Sequence, residues 1–330
     1  IESALRYARG LSIDAHRDAV ARMYAEFSRV ASENPQAWTR AVVAPEAIRD
    51  ATPKNAMQAF PYTKRHCSDW NVNRGVAILV CSAGAAEKLG IDRRKWIFPL
   101  STVESRHVVV LAQQRKLHSH LGTVLSAKRA FELAGASRKD VTAAELYSCF
   151  PAAIGSFAYD LELPADCPLT VTGSMAFSGG PFNHFTLDGV ARMVEVLRDE
   201  AAKSRGSRKL GVVTNLSGIF GKQGCALLSN LPNAGGYRYE DITAAVAAAD
   251  PPCPLDDHYA GPATVVGYTV VFQGGQPSHG VAICDTPKGA RTVARSDGPA
   301  LLQRIMTREL CGREVEIASD GSFTEKEKPA

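Results

Sequence analysis

The strongest constraint on the fold is an alternation of strand, loop and helix patterns in the middle of the chain. The apolar run Val141–Leu146 predicts a strand, and the polar loop Glu145–Pro151 lies at its end. A glycine-rich loop, Thr172–Phe185, then leads into an amphipathic helix predicted over Leu187–Asp199. Loops at strand ends of an open α/β sheet bind ligands, and glycines let backbone approach a substrate closely. The sequence therefore predicts a layered α/β domain with a site on these two loops.

Neighbouring patterns extend this domain. Residues Asp14–Ser32 carry apolar side chains three or four positions apart, which indicates a helix. The continuous apolar run Gly75–Cys81 predicts a strand, and Leu210–Thr214 and Gly224–Leu228 predict two more strands around a third loop. The alternation favours a sheet with helices on both faces.

The pattern changes after the proline-rich linker at Asp250–Pro254, where short strand patterns separated by turns predict a small antiparallel OB-like β-barrel. The strands are expected at Thr264–Phe272, His279–Cys284, Arg291–Arg295 and Glu314–Ala318, with a helix at Gly298–Arg308. The Glu/Lys-rich tail Thr324–Ala330 is expected to be disordered. We therefore divide the chain into a helical segment over 1–60, an α/β domain over 61–250 and a barrel over 251–330.

Composition excludes several classes of protein. The basic residues are scattered and the net charge is only +4, so we expect no nucleic-acid partner. No apolar run approaches the roughly 20 residues that span a bilayer. The eight cysteines lack a repeated short spacing, so we expect neither disulfides nor a zinc site but a reducing, cytoplasmic location. His118 and His120 have no third ligand nearby in sequence, so no metal is expected.

The chain starts at Ile1 without a signal pattern and resembles a piece of a longer protein.

Three motifs carry a family resemblance: Tyr147-Ser148-Cys149-Phe150, Gly179-Gly180-Pro181, and Asn215–Gly218 ahead of Gly221–Gly224. Their order and spacing resemble the C-terminal half of the thiolase fold, most closely its SCP2-thiolase-like branch, often labelled acetyl-CoA acetyltransferase. The resemblance implies a layered α/β/α fold and a coenzyme A thioester as substrate or ligand, with no further cofactor. It also implies that 1–60 resembles the loop domain and that 251–330 is an extra C-terminal β-domain.

The same resemblance implies that the usual catalytic groups are replaced. Tyr147 stands at the family's first-loop Asn or His, and Gly180 stands at the His that activates the nucleophile. The second catalytic Cys corresponds to Leu216 or Ser217. The nucleophilic cysteine itself would belong to an N-terminal half of the fold that is missing from this sequence. We therefore expect no thiolase activity, and an acyltransferase assignment rests on family alone.

Three interpretations stay open. In the first, the protein cleaves β-hydroxyacyl-CoA by a retro-aldol reaction with Tyr147 as acid/base, supported by Ser148 and by His184 or Asn183. In the second, it binds acyl-CoA or a lipid thioester without turnover, as a carrier, regulator or subunit in lipid metabolism. In the third, His184 restores acyl transfer. Each residue also has a structural interpretation: Tyr147 caps a backbone group, and Cys149 is a packing residue.

The candidate catalytic residues are Tyr147, Ser148, Cys149 and His184. The candidate substrate-binding residues are Lys64, His66, Gly179, Gly180, Pro181, Asn183, Asn215 and Ser217. The expected partners are acyl-CoA, the missing N-terminal half of the fold, and a thiolase-like or OB-domain subunit.

Overall fold

A computed structural model describes residues 1–204 and 206–326 and contains two β-sheets, each with its own hydrophobic core. The helices in this part are α1 (Glu2–Ala8), α2 (Ile13–Glu33), α3 (Pro45–Arg49), α4 (Ala83–Lys88), α5 (Leu121–Ala134), α6 (Pro151–Leu161), α7 (Ser174–Phe177), α8 (Phe185–Lys203), α9 (Thr243–Ala249) and α10 (Pro299–Thr307). The strands are β1 (Met57–Ala59), β2 (Tyr62–Thr63), β3 (Phe98–Ser105), β4 (Val141–Glu145), β5 (Leu210–Ser217), β6 (Lys222–Ser229), β7 (Arg238–Asp241), β8 (Gly261–Gln273), β9 (Gln276–Asp285), β10 (Arg291–Ser296), β11 (Glu314–Ile317) and β12 (Phe323–Glu325).

The first sheet is mixed and has helices on both faces, as predicted. Its order is β4-β5-β6-β3-β7, with β4 parallel to β5 and β6 antiparallel to both β5 and β3. Successive side chains of β5 point to opposite faces of the sheet. Val212 therefore lies in the core shared with α2, α5 and α6, and Val213 lies in the core under α8. The chain therefore has the α/β class expected from its sequence.

The second sheet contains the predicted C-terminal strands, ordered β10-β9-β8-β1-β2, with β11 pairing to β8 and to β12. Strands β1 and β2 come from residues 57–63, on the far side of the α/β domain in sequence. In the described residues no ladder joins β10 to β2, so the OB-like barrel is not confirmed. Thr324 and Glu325, expected in a disordered tail, pair with β11, and residues 327–330 lie outside the described residues.

One strand prediction is wrong. Residues 75–81 pair with no strand in the described chain, and Leu79 and Val80 are 80% and 79% exposed. The apolar pattern is that of a buried strand, but the strands that would pair with it are not among those of either sheet.

Helix α1 fastens the N-terminal segment to the second sheet. Ser3 Oγ donates a hydrogen bond to the carbonyl oxygen of Tyr268 in β8 and accepts one from its N–H, at 2.9 and 2.8 Å. Arg6 is buried and forms a two-pronged ion pair with Glu309 at 2.8 and 2.9 Å, while also donating to the Tyr268 hydroxyl. A guanidinium held by three acceptors ties α1 to both β8 and the segment after α10.

We predict that Arg6→Ala lowers the free energy of unfolding by about 2–4 kcal/mol, because it leaves Glu309 and Tyr268 without their buried partner. The matched control is Arg29→Ala, which removes an exposed ion pair on α2 with Glu26 and is expected to cost less than about 1 kcal/mol. Urea denaturation of both variants checks this. Equal losses would show that the Arg6 contacts do not hold the second sheet to α1.

Candidate functional site

The first and third loops lie at the same edge of the first sheet. Since β4 and β5 are parallel, the residues that follow Glu145 sit beside the end of β5. The Tyr147 N–H donates to the Thr214 hydroxyl oxygen at 2.9 Å, which fixes the start of the first loop on β5. The loops that the sequence predicted to be functional therefore begin side by side.

The second loop is joined to the first by buried hydrogen bonds. The Met175 N–H donates to Ser148 Oγ at 2.9 Å, and Ser68 Oγ donates to the Cys149 carbonyl oxygen at 2.8 Å. The Gly180 N–H donates to the carbonyl oxygen of Asp69 at 2.8 Å. Segments 68–74, 147–150 and 173–185 thus form one packed unit at the sheet edge.

Glycine is required at two positions of the second loop. Gly179 has φ +93°, and a Cβ there would lie 2.9 Å from the side chain of Val72. A Cβ on Gly180 would lie 2.6 Å from Cγ of Met175, whose side chain is 2% exposed. Any larger residue at 180 must displace a buried methionine, so this position of the loop has room only for glycine.

A buried carboxylate that sequence analysis did not assign organises the second loop. Glu145, 1% exposed at the end of β4, accepts hydrogen bonds from the N–H groups of Val171 and Thr172 at 2.8 and 2.9 Å. It also accepts from the hydroxyls of Thr170 and Thr172, both at 3.1 Å. Burial raises the pKa of Glu145 to about 7, although these donors act in the opposite direction. The sequence signal was an acidic residue at the end of an apolar strand.

Tyr147 is the most available polar group of the first loop. Its side chain is half-buried, its ring lies edge-on to Phe185 at 6.2 Å, and its hydroxyl has no hydrogen-bond partner among the described residues. Burial raises the pKa of the Tyr147 phenol, so it is protonated at neutral pH. The group is therefore a hydrogen-bond donor rather than a base.

Ser148 and Cys149 are held by the fold. Ser148 is 1% exposed and its hydroxyl oxygen is occupied by the Met175 N–H. Burial raises the pKa of the Cys149 thiol to about 11, which leaves almost no thiolate at neutral pH. Neither side chain has the properties of an activated nucleophile.

His184 belongs to a charged network that became visible only in the structure. Its Nδ1 lies 2.7 Å from Oδ2 of Asp188, and Arg74 Nε lies 3.1 Å from the same oxygen. Asp188 is 6% exposed, while His184 is half-buried and keeps Nε2 free of that contact. A carboxylate that holds one ring nitrogen and leaves the other available is the arrangement of an oriented general base. The available sequence signal was the spacing of four residues between His184, just before the predicted helix, and Asp188 in its first turn.

The remaining candidates divide by burial. Lys64, Asn183, Asn215 and Ser217 are exposed, and Pro181 is half-buried. His66 is 3% exposed, its Nδ1 accepts from the Thr63 N–H, and burial lowers its pKa to about 4. His66 is therefore neutral and fixed within a tight turn, away from solvent.

His118 and His120 give no metal site. His120 is buried, its ring stacks on Phe220 at 4.0 Å, and burial lowers its pKa to about 3. Across residues 1–204 and 206–326, no group of three or more His, Cys, Asp or Glu side chains is arranged to hold a metal ion. In the same residues, no helix is both long and apolar enough to cross a bilayer.

Comparisons with known proteins agree with this architecture. A family model described as the thiolase-like protein type 1 additional C-terminal domain matches residues 241–322. The crystal structure of a monomeric SCP2-thiolase like protein type 1 from Mycobacterium smegmatis matches with a TM-score of 0.83 and 26% identity, covering 98% of this chain and 70% of that one. This chain belongs to the thiolase-like superfamily. The predicted resemblance is thereby confirmed.

A second similar structure is the dimeric peroxisomal thiolase of Saccharomyces cerevisiae, with a TM-score of 0.48 and 14% identity over 69% of this chain and 57% of that one. No curated protein sequence matches significantly.

The buried Glu145 predicts a pH dependence. Its pKa of about 7 in the folded protein lies above the ordinary 4.5, so the folded state keeps a proton that the unfolded state has lost. The stability contributed at this position therefore falls as pH rises from about 4.5 to about 7, by on the order of 3 kcal/mol. We expect the difference in unfolding free energy between wild type and Glu145→Gln to follow that trend. A difference that is constant with pH would contradict it.

The Asp188 contact predicts the tautomer of His184. In the wild type the proton sits on Nδ1 and points to the carboxylate. In Asp188→Asn the amide oxygen takes the place of Oδ2, which Arg74 and His184 share. Because a neutral oxygen is a weaker acceptor than a carboxylate, the fraction of His184 side chains with the proton on Nε2 is expected to rise. Side-chain ¹⁵N spectra distinguish the two tautomers, with Asp199→Asn, an exposed change on the same helix, as control. An unchanged spectrum in Asp188→Asn would show that Asp188 does not orient the imidazole of His184.

Proposed function

We propose that this chain binds acyl-CoA thioesters on the loops around Tyr147 and lacks thiolase activity. The observation that carries the proposal is the Tyr147 phenol: half-buried, protonated and without a partner among the described residues at the shared end of β4 and β5. Such a group can donate a hydrogen bond to a thioester carbonyl oxygen. The likeness to an SCP2-thiolase like protein in overall fold supports the choice of ligand class.

The absence of thiolase activity is supported by two properties of the loops. Thioester exchange through an acyl-enzyme requires a thiolate and a base that generates it. Cys149 has a pKa raised to about 11, and Gly180 packs against Met175 with no space for an imidazole. Within the described residues, these loops provide binding groups rather than a nucleophile.

A second candidate function is retro-aldol cleavage of β-hydroxyacyl-CoA, favoured by the His184–Asp188 contact. In that reaction the β-hydroxyl loses its proton to a base as the Cα–Cβ bond breaks, and the electron pair moves into the thioester enolate, whose oxygen needs a hydrogen-bond donor. The enolate then takes the proton back at Cα, which gives the shortened acyl-CoA. His184, oriented by Asp188 at 2.7 Å, would be the base. The raised pKa of Tyr147 suits a hydrogen-bond donor to this oxygen better than the acid/base role that sequence analysis gave it.

The cellular setting and partners are proposed on the same basis. Free thiols at each of the eight cysteines agree with a reducing, cytoplasmic compartment. We further propose a place in lipid metabolism and a partnership with a thiolase-like or OB-domain subunit, since both follow from the resemblance.

Titration calorimetry with decanoyl-CoA tests the binding proposal. Tyr147→Phe removes one hydrogen-bond donor and is expected to weaken binding about threefold to tenfold. Tyr237→Phe is the matched control, because Tyr237 is 50% exposed and lies just before β7, on the far edge of the first sheet from β4. If the titration of the wild-type chain gives no saturable heat, the binding proposal is wrong.

Product analysis separates the chemical alternatives. We expect no shortened acyl-CoA from 3-ketoacyl-CoA and free CoA, and its appearance would contradict the argument from Gly180 and Cys149. Release of aldehyde or ketone from 3-hydroxyacyl-CoA, slowed by Tyr147→Phe and by His184→Gln but not by Tyr237→Phe, would establish the second candidate instead.

A further inference from the structure

A basic stretch of the sequence borders a cleft that the candidate site does not use. From Ser105 to Phe131 there is no Asp or Glu, while five residues are Arg or Lys and three are His. The loop between β3 and α5 forms the first half of this stretch. Together with the turn between β5 and β6 and with residues 250–252, this loop encloses a cleft of about 410 Å³ that is open to solvent. Its polar lining includes His107, Gln114, Lys116, Ser119, His120 and Gln223.

Contacts from the rest of the fold hold the walls of the cleft in place. Arg291 of β10, which is 5% exposed, donates to the carbonyl oxygens of Gln114 and Arg115 at 2.9 and 3.0 Å. On the other side, His107 Nε2 lies 3.0 Å from the carbonyl oxygen of Asp250. The loop is therefore fixed by protein contacts alone, and a ligand would bind without the cost of ordering it.

The N-terminus of α5 lies in the cleft. In the part of the chain that the structure describes, the N–H groups of Leu121 and Gly122 have no hydrogen-bond acceptor, and the N-cap residue His120 supplies none from its side chain. A Cβ at position 122 would lie 2.5 Å from Oε1 of Gln223, so glycine lets that amide pack against the first turn. Uncapped N–H groups at the start of a helix attract negatively charged oxygen atoms.

A buried side chain in the same wall also lacks a partner. His120 is 6% exposed, and its ring stacks on Phe220 with centroids 4.0 Å apart. Its Nε2 is buried and has no hydrogen-bond partner among the described residues. Because an unpaired buried polar atom is costly, the imidazole indicates a ligand that the protein itself does not supply.

Gln114 adds a free acceptor to these donors. Its Nε2 donates to the carbonyl oxygen of Ile219 at 2.7 Å, which identifies the other amide atom as the oxygen. That Oε1 is buried, and no donor reaches it within the described residues. A ligand that satisfies both kinds of group needs negatively charged oxygens and an O–H. A protonated phosphate group has both, whereas carboxylate and sulfate ions only accept.

The charges around the cleft favour an anion. Arg115 lies 3.7 Å from Asp250, and Lys116 is exposed without an ion pair in the described chain, so the lining residues carry a net positive charge. Asp160 opposes an anion from behind the wall, where it accepts from the His120 N–H at 2.9 Å. Burial raises the pKa of Asp160 to about 6, and Lys116 acts on the same carboxyl group. Its opposing charge is therefore partly offset.

We propose that this cleft binds a protonated phosphate group. The N–H groups of Leu121 and Gly122 and the imidazole of His120 hold its oxygens, Gln114 Oε1 accepts from its O–H, and Lys116 attracts it at the mouth. The site is separate from the loops around Tyr147, because Tyr147 follows β4, whereas the cleft lies between the β5–β6 turn and the loop after β3. It does not depend on thioester binding.

A comparison of phosphate with sulfate tests the assigned contacts. At about pH 6 inorganic phosphate is protonated and mainly singly charged, whereas sulfate is doubly charged and carries no proton. Charge alone would favour sulfate, but the Gln114 acceptor favours phosphate, by at least about fivefold in the dissociation constant. The readout is the side-chain ¹⁵N signal of His120, identified by its loss in His120→Gln. We expect it to shift and saturate with phosphate, while the signal of His279 in β9 stays unchanged.

A charge-reversal pair separates this site from general attraction to a basic protein. Lys116→Glu should weaken phosphate binding at least about tenfold, because it places a negative charge at the mouth. Lys139→Glu, an exposed change beyond the C-terminal end of α5, should change it less than about twofold, since the charge lies far from the cleft. Both positions are exposed, so both variants should keep their Tm within about 2 °C of wild type.

Three results would overturn the proposal: no saturable shift of the His120 signal, sulfate binding as tightly as phosphate, or equal weakening by the two charge reversals. Glycerol 3-phosphate identifies the source of the phosphate group. Binding comparable to that of inorganic phosphate would support a phosphate monoester as the ligand, and binding of inorganic phosphate alone would support the free anion.

Discussion

The interaction on which the candidate site depends is the set of hydrogen bonds received by Glu145. A carboxylate buried at the end of β4 would be costly without donors, and it receives them from Thr170, Val171 and Thr172. Those bonds fix the entry to the second loop. From there Thr170 Oγ1 accepts from the N–H groups of Gly173 and Ser174, which sets the start of α7. The position of Met175, and through it of Gly180, follows from this one side chain.

The site that results is rich in hydrogen-bond donors and poor in nucleophiles. Burial makes the Cys149 thiol harder to ionise and keeps the Tyr147 phenol protonated, so the same desolvation acts against a thiolate and favours a donor. Among the described side chains of these loops, His184 has the geometry of an oriented base. Asp188 holds its imidazole, and Arg74, distant in sequence, pairs with the same carboxylate oxygen. One fold can in this way carry different chemistries on its loops.

The second sheet shows that chain order and spatial units differ here. The long strand β8 pairs with β9 and β11 from its own region and with β1 from residues 57–59. Helix α1 covers it through Ser3 and Arg6. The N-terminal segment therefore belongs physically to the C-terminal sheet as much as to the helices of the first core.

Local pattern was enough for most of the elements. The spacing of apolar residues located α2, α8, β5 and β9 to within a few residues. Burial of one face of a helix or strand makes apolar residues recur with the period of that element, so the element can be recognised from the sequence. The loops Glu145–Pro151 and Thr172–Phe185 were found for the same reason, as polar and glycine-rich breaks at strand ends. The family resemblance came from the order of those breaks.

Tertiary structure alone decided the rest. Sequence could not show that Arg74 meets Asp188 across more than a hundred residues, or that β1 joins β8, because these pairings depend on packing between distant segments. The sequence also predicted a strand at residues 75–81, which have the apolar composition of a buried strand but form no strand in the structure. Apolar composition determines that a strand can be buried, but a strand forms only where neighbouring strands supply its hydrogen bonds.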